Sequence, residues 1–224
     1  MTYRNRLFSL FTSMDDEIFR IQKAEQIEKM WRVPLLLIVA TVVLYIWMSY
    51  LGMGTNIVSP NITAFSVQEF EASKFWFIAG RGLFAILLAI LILFLSSFWF
   101  YIWMDVGYRK LIIMQQVVLL VMLLERVLWI PLALYIGLDW YVSPWSFGII
   151  ASYFTSMEWV IVFFGTITLF QVWIIWFQIK FLSKVTTMKM YLIWIVVMML
   201  HLFGWVCVTL ISYFDGILIN GWFG

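Results

Sequence analysis

Five stretches of this chain, at roughly 34–52, 76–103, 111–137, 156–182 and 190–213, are almost wholly apolar. A bilayer crossing needs ~20 apolar residues to traverse ~30 Å of hydrocarbon, so each run is long enough. No water is available there, and every backbone N–H and C=O must be bonded within the protein, which makes runs of this length helices. Transmembrane strands would be about half as long and would alternate in polarity. The expected fold class is therefore all-α, a polytopic integral membrane bundle of five transmembrane helices over 34–224. A cytoplasmic segment, 1–33, precedes it. The composition agrees, with 65% hydrophobic and 12% charged residues, against ~45–50% and ~25% in soluble domains. The 14 tryptophans suit side chains that sit at headgroup level.

The positive charges give the direction. Arg4, Arg6, Arg20, Lys23, Lys29 and Arg32 precede the first run, Arg109 and Lys110 follow the second, and Lys180, Lys184 and Lys189 close the fourth. The opposite side, 53–75, 138–155 and 214–224, holds only Lys74. The positive-inside rule then predicts a cell-membrane protein with a cytoplasmic amino terminus and an extracellular carboxyl terminus. No signal peptide is expected, because 33 mixed residues precede the first run and no small-residue cleavage site follows it. A net charge of +2 gives no reason to expect nucleic acid as a partner. The lone Cys207 excludes an internal disulfide framework and a cysteine metal cluster.

In the amino-terminal segment, Leu7, Phe11, Met14, Ile18 and Ile21 recur at spacings of four and three, a single helical stripe. Ser13 and Asp16 form a weak capping box that starts the helix at Met14. Asp16–Arg20 and Glu25–Lys29 have the spacing of helix ion pairs. Two readings stay open. Either this helix lies on the inner leaflet or docks a partner, or it packs beneath the bundle and caps its inner end. The segment is too short to build a core of its own.

The stretch "LFSLFTSMDDEIFRIQKAEQIEKMWRVPLLLIVA" resembles the opening of bacterial Yip-family proteins at Leu10, Phe11, Thr12, Ser13, Phe19, Ile21, Trp31, Pro34, Leu35 and Leu36. Met14 stands where the family has a proline. The third run, "YRKLIIMQQVVLLVMLLERVLWIPLAL", is similar to the family's third span. The "D-L-Y-G-P" motif of the eukaryotic relatives that partner small GTPases is absent. The resemblance implies a non-enzymatic membrane protein without cofactors, accessory to an ABC-type export complex, with lipid and transporter subunits as partners. It leaves homo-oligomers open.

Ionisable residues within spans cost about 2.5–3.5 kcal/mol each at mid-membrane and call for partners. A rise of ~1.5 Å per residue converts sequence position into depth. Glu125, Arg126 and His201 then lie near the midplane, while Arg81 and Glu158 lie ~13–15 Å outward of it. Depth and sign together predict Arg81 opposite Glu158, Glu125 facing His201 or a basic partner, and Arg126 reaching towards Glu158. Arg81 also shares a face with Ala85, Ala89 and Ser96, small residues that admit a close helix. Pro131 is expected to kink the third span and present the freed Val127 carbonyl to the interior.

Three readings fit this polar set: a satisfied network that fixes the bundle's register, a proton or ion relay through Glu125 and His201, or a groove for a lipid, peptide or partner helix. Gln115, Gln116, Gln171 and Gln178 lie towards the inner ends and are expected to reach the interface. One histidine offers no three- or four-ligand metal site. No nucleophile–base constellation that would make an enzyme is visible. A carrier is the alternative, although no repeat and no pair of broken helices points to it. "NIT" at 61–63 is a glycosylation sequon on the outer side, and the outer loops, including "GLDWYVSPWSFG", read as a lid.

Overall fold

The computed structural model describes residues 2–4, 7, 9–28, 30–54 and 67–223, with side chains described from residue 7 onward except at 67, 70 and 213–223. The sequon at 61–63 and the Glu25–Lys29 pair lie outside the described residues. Apart from one ladder, in which β1 (Thr2–Arg4) runs parallel to β2 (Gln26–Glu28), the described chain is helical. Two short helices, α1 (Ser9–Thr12) and α2 (Met14–Lys23), lie between those strands. They are followed by α3 (Arg32–Tyr50) and by α4 (Val67–Ile90), which passes through a π-helical turn at Leu91–Leu95 into α5 (Ser96–Trp103). Then come α6 (Tyr108–Ile136), α7 (Gly148–Phe154), α8 (Glu158–Thr166), α9 (Leu169–Val185) and α10 (Met190–Phe223).

Four helical stretches are long and apolar enough to cross a membrane: Arg32–Tyr50, Glu71–Trp103, Tyr108–Ile136 and Met190–Ser212. The run at 156–182, expected as one helix, is instead interrupted at Ile167–Thr168 between α8 and α9. Hydropathy is continuous across that point, but local chemistry is not. Gly165, Thr166, Ile167 and Thr168 combine the poorest helix former short of proline with three β-branched residues.

The core is densest at one end. From Leu111 to Leu119 every residue of α6 is buried, so this half is enclosed on all sides, as a central helix must be. It packs against α3, α5 and α9, where Phe100, Phe177, Phe181 and Leu182 are fully covered or nearly so. Ala85 and Ala89 on α4 are fully buried, and α4 lies along α3, the close approach that small residues permit.

The amino-terminal helices close the same end. Leu7, Leu10, Ile18 and Ile21 enter the cluster built by the spans, while Phe11 and Met14 sit at its rim. Phe11 stacks on Trp173 at 5.8 Å, and Trp173 stacks on Phe177 at 5.4 Å. Lys180 Nζ meets Asp15 at 2.9 Å, and Lys110 Nζ donates to the Gln22 carbonyl at 2.7 Å. The first helical position is Met14, but Ser13 does not cap it. Its hydroxyl donates back to the Ser9 carbonyl at 3.2 Å. Arg20 pairs with Glu17 at 3.1 Å rather than with Asp16, a difference of one residue along the same helix face.

This packing corrects the reading of the glutamines. Gln115, Gln116 and Gln178 are 1%, 0% and 1% exposed. Neighbouring helices cover them, so they do not reach out of the bundle.

Candidate functional site: a helix break beside Glu125

A helix interrupted in hydrocarbon leaves backbone groups that only protein can satisfy. Here the connection between α6 and α8 supplies the partners. After α6, a 3-10 turn at Trp140–Val142 leads into a segment whose Ser146 bridges to Thr168 in antiparallel fashion. Phe147 N–H donates to the Ile167 carbonyl at 3.0 Å, and Leu169 N–H donates to the Trp145 carbonyl at 2.9 Å. The Thr168 hydroxyl accepts the Gln171 N–H at 3.1 Å and so caps α9. Ser146 is buried, and its hydroxyl faces the carbonyls of Tyr141 (2.9 Å) and Ser143 (3.0 Å), which holds the loop in shape.

Two glycines admit this loop. A Cβ on Gly148 would collide with the Tyr141 carbonyl and sit 2.8 Å from Gly165 Cα; one on Gly165 would lie 2.5–2.7 Å from Tyr141. Backbone therefore touches backbone where α7, α8 and the loop meet. At the other end of the connection, Gly137 (φ 72°) closes α6 in the left-handed region. The Gly137 and Leu138 N–H groups donate to Ala133 and Leu132, the helix-end pattern that favours glycine.

Glu125 comes to this break from α6. It is half-buried, its carboxyl interacts with the Thr168 hydroxyl, and Arg126 is the nearby opposite charge. Arg126 itself lies over two indoles, 5.8 Å from the Trp140 ring and 5.9 Å from Trp129. Trp129 Nε1 donates to the Leu138 carbonyl at 3.0 Å, which ties the same corner together. Arg81 lies 5.5 Å from the Tyr45 ring and 6.0 Å from Phe77. Cation–π contacts of this kind are worth about 0.5–2 kcal/mol, more when desolvated.

Among the described residues neither Arg81 nor Arg126 pairs with Glu158, and the opposite charge near Glu125 is Arg126, its own neighbour in sequence, not His201. Glu158 is exposed at the start of α8, where the helix dipole favours a carboxylate. It makes no ion pair with Arg81 or Arg126. His201 faces Gln178, with Nε2 2.8 Å from Oε1, and not Glu125. With the amide oxygen accepting, the proton sits on Nε2. Pro131 is exposed within a helix that continues to Ile136, so it does not face the interior. Depth sets the height of a side chain and leaves its direction around the helix free.

The residues that build the break, Ser146, Gly148, Gly165 and Thr168, did not stand out from hydropathy. One signal was present: Thr168-Leu169-Phe170-Gln171 has the Ser/Thr-x-x-Glu/Gln spacing of a helix start. Chemically, the site offers a carboxyl group beside a hydroxyl and the interrupted backbone between α8 and α9, able to bind a proton or a hydrogen-bond donor. Compared with known proteins, the chain matches no family model, no curated protein and no solved structure.

Proposed function

We propose that this chain is a non-enzymatic partner subunit of the cell membrane, of the Yip type, that associates with an ABC-type export complex. It would cross the membrane five times, the fourth time through α8 and α9 together, with the amino terminus cytoplasmic and the carboxyl terminus outside. The resemblance of the amino-terminal segment and third span supports the family. The observation that carries the partner role is the openness of α10. Only 17% of its span is buried within the chain, against 39% for α3. Tyr191, Trp194, Ile195, Leu202 and Phe203 stand outward, leaving a broad apolar and aromatic flank for lipid or a partner helix. Inside, His201, Arg126 and Arg81 are taken up by a glutamine and by aromatic rings, which holds helices in place.

A photo-crosslinker placed at Trp194 or Phe203 in cells tests this. Adducts with transporter subunits are expected, and none from the buried Val197. Crosslinks to lipid alone, together with intact export in a deletion strain, would refute it. A carrier is the second reading, favoured by the interrupted helix beside Glu125, since discontinuous helices at mid-membrane can hold coupling ions. It requires that the purified protein alone move solute or protons in liposomes, and that Glu125→Gln stop it.

A further inference from the structure

We infer that the chain carries a binding site for the phosphate of an anionic phospholipid, formed where α3 and α6 begin. A cavity of about 400 Å³ lies there, lined by Ile27, Met30, Trp31, Arg32, Tyr108 and Arg109 among others, and among the described residues no acidic side chain lines it. Both arginines are exposed, and neither makes an ion pair among the described residues. Other basic side chains already have partners: Lys110 the Gln22 carbonyl, Arg20 Glu17, and Lys180 Asp15. Two guanidiniums with no counter-ion among the described residues thus line one cavity. An anion between them supplies the missing opposite charge, and the guanidinium fork matches phosphate geometry.

The backbone strengthens the same field. Arg32 and Arg109 each lie in the first turn of their helix, and neither turn holds an acidic residue. Neither helix has a side-chain cap. A cation at a helix amino terminus opposes the dipole, and here that arrangement occurs twice at one cavity. A bound phosphate reverses the sign of both interactions and accepts the uncapped N–H groups.

A lipid is the source that fits the surroundings. Arg32 opens the span Arg32–Tyr50, and headgroup level is where a span begins. From the cavity rim, Trp31, Leu35 and Leu36 are about two-thirds exposed, an apolar strip on which acyl chains can lie. Trp31 is braced by Phe94 at 5.9 Å, and the Tyr108 hydroxyl donates to the Phe94 carbonyl at 3.1 Å, so the aromatic walls are fixed. Basic pockets between membrane helices recognise headgroups in this way. This inference is independent of the partner role.

Native mass spectrometry of the full-length protein in mild detergent, titrated with phosphatidylglycerol, phosphatidylcholine or inorganic phosphate, tests it. Wild type should retain phosphatidylglycerol in preference to phosphatidylcholine. Arg32→Gln or Arg109→Gln alone should cut that preference about fivefold, and both together about 30-fold, from the worth of one basic side chain at a membrane surface. Lys74→Gln, at the opposite end of the chain's charge map, should leave it unchanged. Should the double glutamine variant fail to fold, Arg32→Lys with Arg109→Lys keeps the charge and removes the fork, and a loss of several-fold is still expected. Unchanged preference in the folded double variant, or in the lysine pair if only that pair folds, overturns the site. Inorganic phosphate displacing phosphatidylglycerol at equal concentration overturns the lipid assignment.

Discussion

The two ends of the bundle solve the same problem by different means. At the end closed by α1 and α2, apolar side chains do most of the work: Leu10, Ile18, Ile21, Leu111 and Phe181 have no exposure, Asp15–Lys180 lies at the rim, and the buried Glu17 carries its own partner in Arg20. At the other end the contacts are backbone against backbone and cation against ring. A loop fills the gap in an interrupted helix, Gly148 and Gly165 let it approach, and Arg81 and Arg126 lie over aromatic faces. The first kind of packing degrades gradually as side chains are trimmed. The second has no slack, because a carbonyl cannot change rotamer.

That difference sets the order of expected damage. The largest effect should come from Gly148→Ala, which places a Cβ on the Tyr141 carbonyl. Overpacking alone costs typically ~1–3 kcal/mol. Expelling the loop also strands the Ile167 carbonyl and the Leu169 N–H, at several kcal/mol for each unsatisfied group where α8 and α9 cross hydrocarbon as proposed. The sum should exceed ~5 kcal/mol, enough to prevent recovery of folded protein in mild detergent. A variant that purifies with a wild-type melting curve would mean that the loop is held loosely and the contrast between the two ends is false.

Next in size is Phe177→Ala at the apolar end, where the ring is fully buried and stacked on Trp173. Truncations of this kind cost about 3–5 kcal/mol. The protein should still fold, with a lowered melting temperature, because neighbouring side chains can relax into the cavity. Phe177→Leu should recover much of the loss. If Phe177→Ala were the more damaging of the two changes, the apolar end would be the rigid one.

Much of this contrast could be read from the sequence at one end and little at the other. Long apolar runs announce helices because hydrocarbon permits no other open backbone, and the stripe through Leu7, Ile18 and Ile21 marked the side that faces the core. The interruption at Ile167–Thr168 was hidden, since averaging over Phe163, Phe164, Leu169 and Phe170 swamps two threonines and a glycine. The partners of the charges were hidden for another reason. A chain with 14 tryptophans can satisfy an arginine with a ring almost anywhere, so matching acids to bases by depth has no unique solution. The glutamines showed the limit of depth reasoning, because distance from a span's end does not reveal what lies over that end.

The smallest effect should come from the pair that joins the two ends, His201 and Gln178 at 2.8 Å. Interhelical polar pairs in membranes average only ~0.6 kcal/mol of coupling, with a maximum near ~1.7, because the separated helices find other partners. Gln178 is buried, so Gln178→Leu leaves the imidazole N–H without its acceptor. His201→Phe leaves the amide oxygen without its donor. Each single change should therefore lower thermal stability, while the double change should cost less than the sum, with a coupling of ~0.6–1.7 kcal/mol. A double-mutant cycle on melting in detergent measures this directly. Strict additivity would show that the two side chains do not depend on each other and that α9 and α10 are joined by apolar contacts alone. Coupling well above that range would put the pair with the backbone contacts at the helix break, and the rigid end would then extend further along the bundle than the glycines mark it.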